Sequence, residues 1–128
     1  MSDQQQMKAA LQAYIDAFNR ADVAAIVTLY AEDAVVEDPV GKAPIAGRAK
    51  IEAFYKAAVA GGAKLRLAAP IRGSHGKAAA MAFDVLLEHG ALRGVIRVID
   101  VMTFDEAGKF ASMRAYWGPG DMEMAKPA

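Results

Sequence analysis

From Lys64 onward the spacing of apolar residues changes from near four to two, and this switch limits the folds open to the chain more than any other feature. Residues 64–72, 78–88 and 109–117, together with Val95-Ile96-Arg97-Val98-Ile99-Asp100-Val101-Met102-Thr103-Phe104, read as strands. Gly73-Ser74-His75-Gly76, His89-Gly90 and Asp105-Glu106-Ala107-Gly108 supply the turns, so the pattern predicts an antiparallel meander. Within it Ala79, Met81, Phe83, Val85 and Leu87 form an apolar row. In the last strand Met113, Ala115 and Trp117 share one face, and Phe110, Ser112, Arg114 and Tyr116 the other.

The first half of the chain has helical spacing. Ser2 and Gln5 have the form of a capping box, and Met7, Ala10, Leu11, Tyr14, Ile15 and Phe18 follow on one helix face. Asp22 is the expected N-cap of a short second helix that turns Val23, Ile26, Leu29 and Tyr30 inward. Ala34-Val35-Val36-Glu37-Asp38 reads as a short strand ended by Pro39, which leaves Asp38 at its exit into a loop. A third helix carries Ile51, Phe54, Tyr55, Ala58 and Val59 and stops at Gly61-Gly62. Helices first and an antiparallel sheet afterwards is an α+β arrangement in which the helices cover one face. Residues 1–128 are expected to form a single domain, with 119–128 a loose tail.

The other face of the sheet is mixed. Val95, Ile99, Val101, Phe110 and Tyr116 are interrupted there by Arg97, Thr103, Ser112 and Arg114, a composition that predicts a homodimer interface.

One carboxylate sits badly in this pattern. Asp100 shares its strand face with Ile96, Val98, Met102 and Phe104, while Arg97 points the other way. Burial disfavours the charged form, so the pKa of Asp100 is expected to rise and leave a carboxylic acid able to donate a hydrogen bond. Asp38, at a loop mouth before Pro39, suits either a solvated acid that opens an Asp-Pro turn or a working carboxylate that stays ionised as a base. Two carboxylates whose surroundings push them apart suit proton transfer at carbon beside a carbonyl.

Composition removes most rivals. With 15 basic and 15 acidic residues there is no electrostatic footprint for nucleic acid or an anionic membrane. The absence of cysteine excludes disulfides, thiolate nucleophiles and zinc-thiolate sites. His75 and His89 fall in separate turns, which supports neither a two-histidine metal site nor a serine triad, and no phosphate-binding or dinucleotide motif is present. The expectation is acid–base chemistry without metal or cofactor. The polar start of the chain and the lack of a long apolar run make the cytoplasm the default location.

Tyr14, the segment Val36-Glu37-Asp38-Pro39-Val40-Gly41, the segment Val98-Ile99-Asp100-Val101-Met102 and Ala115-Tyr116-Trp117 together resemble the Δ5-3-ketosteroid isomerases. Those enzymes belong to the cone-shaped α+β superfamily shared with nuclear transport factor 2-like proteins. The resemblance implies a cone-shaped fold, with about three N-terminal helices on a curved, mainly antiparallel sheet, and a steroid substrate. It assigns Asp38 as the base that carries a proton from C4 to C6, and Tyr14 and Asp100 as donors to the C3 oxygen. Tyr30 and Tyr55 match the tyrosines that extend a hydrogen-bond network from Tyr14. Phe54, Met81, Phe83, Val85, Val98, Met113, Ala115 and Trp117 match the apolar wall. Two alternatives stand beside this reading: a steroid or lipid carrier without turnover, and a polyketide cyclase or epoxide hydrolase on the same fold. For an epoxide hydrolase the strands offer only Asp84 and Glu88 as further carboxylates, on the face opposite Met81 and Phe83.

Overall fold

The computed structural model describes residues 3–89 and 92–125. Helix α1 (Gln4–Asn19) begins at an Asp3 N-cap, whose carboxylate accepts from the Gln6 backbone N–H while the Gln6 side chain returns to the Asp3 backbone. The capping box therefore forms one residue later than Ser2 and Gln5 suggested; Ser2 lies outside the described residues. Met7, Leu11, Tyr14, Ile15, Ala17 and Phe18 make the buried stripe. At the end of α1, Asn19 donates from Nδ2 to the Leu65 carbonyl at 2.9 Å and accepts from the Leu65 N–H at 2.7 Å, tying the helix to the sheet.

Helix α2 (Val23–Thr28) is capped by Asp22, which accepts from the Ala25 N–H at 3.0 Å. It ends before Tyr30. That residue opens strand β1 (Tyr30–Glu37) instead of closing the helix, a correction to the helical reading. Its carbonyl accepts from the Arg48 guanidinium at 2.6 and 3.0 Å. After the short β2 (Ile45–Ala46), α3 (Arg48–Ala60) buries Ile51 and Tyr55.

Strands β3 (Lys64–Leu67), β4 (Ala78–His89), β5 (Leu92–Phe104) and β6 (Phe110–Tyr116) form the expected antiparallel meander. The first is shorter than the run of apolar residues suggested: beyond Leu67 the Ala68 N–H donates to the Ala82 carbonyl at 2.9 Å, and Arg72 returns to pair with Ala80. The backbone of His89 belongs to β4, opposite Leu92, and the turn residue Gly90 lies outside the described residues. The sheet order is β2-β1-β6-β5-β4-β3, with β1 parallel to β6 and the other pairs antiparallel. Three helices thus lie on an unclosed mixed sheet. The core fills the space between α1, α2, α3 and the inner face of the sheet.

Two further corrections concern the end of the chain. Between β5 and β6 the register passes from Thr103 opposite Ser112 to Phe104 opposite Phe110, so Ala111 is an extra residue on β6. This bulge turns Phe110 to the inner face, where it is fully buried with its ring 5.1 Å from Tyr30 and 5.3 Å from Phe104. The outer face keeps Ile99 and Tyr116, paired across the ladder and both exposed. Of the segment expected to be a loose tail, residues 119–125 pack on the sheet: a single turn at Pro119–Asp121 leads into β7 (Met122–Ala125), which pairs antiparallel with the start of β5, while residues 126–128 lie outside the described residues. That stretch of β5 extends beyond β6, leaving backbone groups that β7 satisfies. Among the described residues no helix is long and apolar enough to cross a membrane.

Candidate active site

A cavity of about 300 Å³ opens between the helices and the inner face of β4 and β5. Three chain segments deliver the tyrosine and the two carboxyl groups singled out from the sequence. The buried stripe of α1 brings in Tyr14, the exit of β1 brings in Asp38, and the middle of β5 brings in Asp100.

Asp100 stands on the ladder between Met81 and Ala115 and is 1% exposed. Neither of its carboxylate oxygens has a hydrogen-bond partner among the described residues. Burial raises its pKa well above the carboxylate range, and the nearby charge of Asp38 adds to the effect. A carboxylic acid without a partner, facing an apolar cavity, is the expected state of such a group, and its proton is free for a ligand.

Asp38 is only partly buried. Its loop is held by the Val40 N–H, which donates to the Ala115 carbonyl at 2.9 Å. Burial raises the pKa of Asp38, and a hydrogen bond from the Trp117 indole Nε1 to Oδ1, at 2.9 Å, opposes the rise by favouring the ionised form. Sequence reasoning placed Trp117 in the apolar wall; it lines the cavity and also holds Asp38.

Tyr14, Tyr55 and Tyr30 join through their hydroxyls, 2.9 Å from Tyr14 to Tyr55 and 2.6 Å from Tyr55 to Tyr30. All three are buried, and burial first, then neighbouring tyrosines or carboxylates, raises their pKa values. They therefore stay neutral. Tyr14 and Tyr55 reach the cavity, whereas Tyr30 lies behind Tyr55.

The apolar lining divides the expected residues into two groups. Phe54, Phe83, Val85, Val98 and Trp117 face the cavity. Met81, Met113 and Ala115 do not line it; they are buried in the core beneath its floor. Phe18, Ala58, Ala63, Leu65, Leu87 and Ile96 line it although sequence reasoning did not select them. Four of these had a legible signal. Phe18 lies one helical turn from Tyr14 and Ala58 one turn from Phe54, while Leu87 and Ile96 continue the alternating rows of Val85 and Val98. The result is a pocket with tyrosine and carboxyl groups in a largely apolar enclosure, a composition suited to a hydrophobic ligand bearing few polar atoms.

Residues 11–113 match the SnoaL-like domain, and the chain belongs to this family of cone-shaped α+β proteins. Among its relatives is the Steroid Delta-isomerase of Nocardioides simplex, 46% identical over 117 residues that cover 91% of this chain and 94% of that protein. The Epoxide hydrolase LasB of Streptomyces lasalocidi is 30% identical over 120 residues, 90% of this chain but 43% of that longer protein. A solved structure of the epoxide hydrolase/cyclase-like enzyme SalBIII, described for pyran ring formation in the polyether salinomycin, superposes with a TM-score of 0.89. It is 32% identical, and the match covers 98% of this chain and all of that one.

Proposed function

We propose that this chain is a steroid Δ-isomerase, converting 3-oxo-Δ5-steroids into 3-oxo-Δ4-steroids without a cofactor. The observation that carries the reading is the Asp100 carboxyl, buried with both oxygens unpartnered in the cavity that also holds Tyr14 and Asp38. The similarity to the Nocardioides simplex enzyme supports it independently.

In this reading the steroid lies along the apolar lining with its C3 oxygen at Tyr14 and Asp100. The Asp38 carboxylate takes a proton from C4, the C4–H electrons move into the ring, and negative charge collects on the C3 oxygen of a dienolate. Tyr14 and Asp100 donate hydrogen bonds to that oxygen, which strengthen as the charge grows. Asp38 then returns its proton to C6, and the double bond rests between C4 and C5. No atom is gained or lost.

Replacing the base tests the reading. Asp38→Asn should lower the rate of conjugated enone formation by about 10²- to 10⁴-fold, the usual worth of positioned proton transfer, while a phenolic steroid still binds. Turnover equal to the wild type would remove Asp38 from the mechanism.

Epoxide opening is a second reading, favoured by the likeness to LasB and SalBIII. It would use the same pair, with Asp100 protonating an epoxide oxygen. Asp84, the carboxylate that a wider acidic set would need, is bonded to Arg66 at 3.1 Å on the outer face. Release of diol from a hydrophobic epoxide, with no enone formed from a Δ5-3-ketosteroid, would favour this reading.

The functional unit in our reading is a homodimer joined through the outer face, where Ile99 is 50% and Tyr116 44% exposed. Sedimentation at micromolar concentration should give twice the chain mass; a monomer there refutes it.

A further inference from the structure

Strand β7 places apolar groups on the cavity side of the sheet, beside the end of β5 that lines the cavity. Partners across an antiparallel ladder share a face, so Met122, opposite Ile96, and Met124, opposite Gly94, lie on the cavity side of the sheet. Glu123, opposite Val95, lies on the other side and pairs with Arg97 at 2.9 Å. The turn before it is closed by the Gly118 N–H, which donates to Asp121 at 2.8 Å.

Gly94 explains how Met124 fits. A Cβ on that residue would come within 2.5 Å of the Met124 Sδ, so the thioether occupies the volume of the missing side chain. Leu87, the partner of Gly94 on β4, already lines the cavity, and so does Ile96. The two methionines therefore extend the apolar inner face past Ile96 and Leu87, just outside the residues that line the cavity. Yet Met122 is 39% and Met124 45% exposed, so this apolar surface stands in water.

The spacing says what would cover it. At about 3.3 Å per residue of strand, Ile96 lies about 13 Å from Asp100 and Gly94 about 20 Å. A fused four-ring skeleton with its C3 oxygen at Asp100 ends near Ile96. Whatever its last ring carries must cross Met122 and Met124. We propose that these two methionines are specificity-determining residues that receive the C17 substituent of the steroid, and that the chain therefore selects 3-oxosteroids with an aliphatic side chain over those without one. The inference rests on the isomerase reading for the direction in which the ligand lies. Unbranched, polarisable methionines adapt their shape to a flexible aliphatic chain, which a rigid wall would not do.

Trp117 is the only tryptophan and lines the cavity, so its fluorescence reports occupancy whether or not turnover occurs. The experiment titrates the protein with androst-4-ene-3,17-dione and with cholest-4-en-3-one, then repeats both titrations with Met122→Ser/Met124→Ser. The wild type should bind the side-chain steroid more tightly, and the double variant should reduce the ratio of the two affinities about tenfold, the worth of roughly two buried methylene groups. Equal affinities in the wild type, an unchanged ratio in the variant, or binding of neither steroid would overturn the proposal. A ratio that responds as expected, in a protein that forms no enone from a Δ5-3-ketosteroid, would uphold the lip and overturn the isomerase reading.

Discussion

Replacing Asp100 by asparagine isolates the state of its proton without any ligand. The carboxyl is 1% exposed, and burial, followed by the charge of Asp38, raises its pKa well above the carboxylate range. In the unfolded chain an aspartate titrates near pH ~3.9. Between that pH and the folded pKa, the native state keeps a proton that the unfolded state has released, so stability falls as pH rises. Each pH unit across which the folded carboxyl keeps its proton costs about 1.4 kcal/mol. Asparagine keeps the size and a donor but does not titrate. Urea unfolding of both proteins at pH 5, 6 and 7 should therefore show the wild type losing stability relative to Asp100→Asn as pH rises, by up to about 1.4 kcal/mol per unit. Any constant cost of the amide in the pocket cancels in this comparison. Parallel stability curves would mean that Asp100 is ionised in the folded protein, and would refute its role as a neutral donor.

Trp117→Phe removes the hydrogen bond that favours ionised Asp38. Such a bond to a charged group is worth enough to raise the Asp38 pKa by about one unit, so the acid limb of the kcat/KM profile should move to higher pH by that amount. An unmoved limb would show that the indole only fills space. Among the tyrosines, Tyr55→Phe orphans the fully buried Tyr30 hydroxyl, whereas Tyr30→Phe leaves Tyr55 bonded to Tyr14. Thermal or urea unfolding should find Tyr55→Phe less stable by about 1–3 kcal/mol, and equal stabilities would contradict the linear arrangement.

The features that the sequence made legible are those carried by short-range period. The Asp100 face, the stripe of α1, the stop of α3 at Gly61-Gly62 and the meander all follow from spacings of two or four. The features it hid depend on partners distant in the chain. Tyr30 continues a helical spacing from Val23 and Ile26, yet it joins a strand because β6 lies parallel beside it. Phe110 follows the wrong parity because an extra residue, Ala111, leaves no mark in the alternation. Met122-Glu123-Met124-Ala125 is too short to declare itself a strand, and forms one because β5 extends past β6. For the same reason the indole of Trp117 reads as apolar wall until the Asp38 loop is seen against it. The candidate chemical groups could be chosen from local pattern and resemblance; the strand β7 beside the cavity and the hold of Trp117 on Asp38 could not.

The row of three tyrosines also has a direction. Three hydroxyls carry three protons, and their two mutual hydrogen bonds use only two of them. Tyr30 sits at the closed end, wholly buried, so if it gives its proton to Tyr55 and Tyr55 gives its own to Tyr14, the unused proton is at the mouth of the row. Aligned in this way, each O–H dipole polarises the next toward the cavity. Asp100 presents a second surplus proton on the other wall. In the isomerase reading a ketone oxygen, or the oxyanion it becomes, accepts from both. A row aligned in this way, together with Asp100, then aims both protons at one oxygen, the atom on which negative charge collects in that reading.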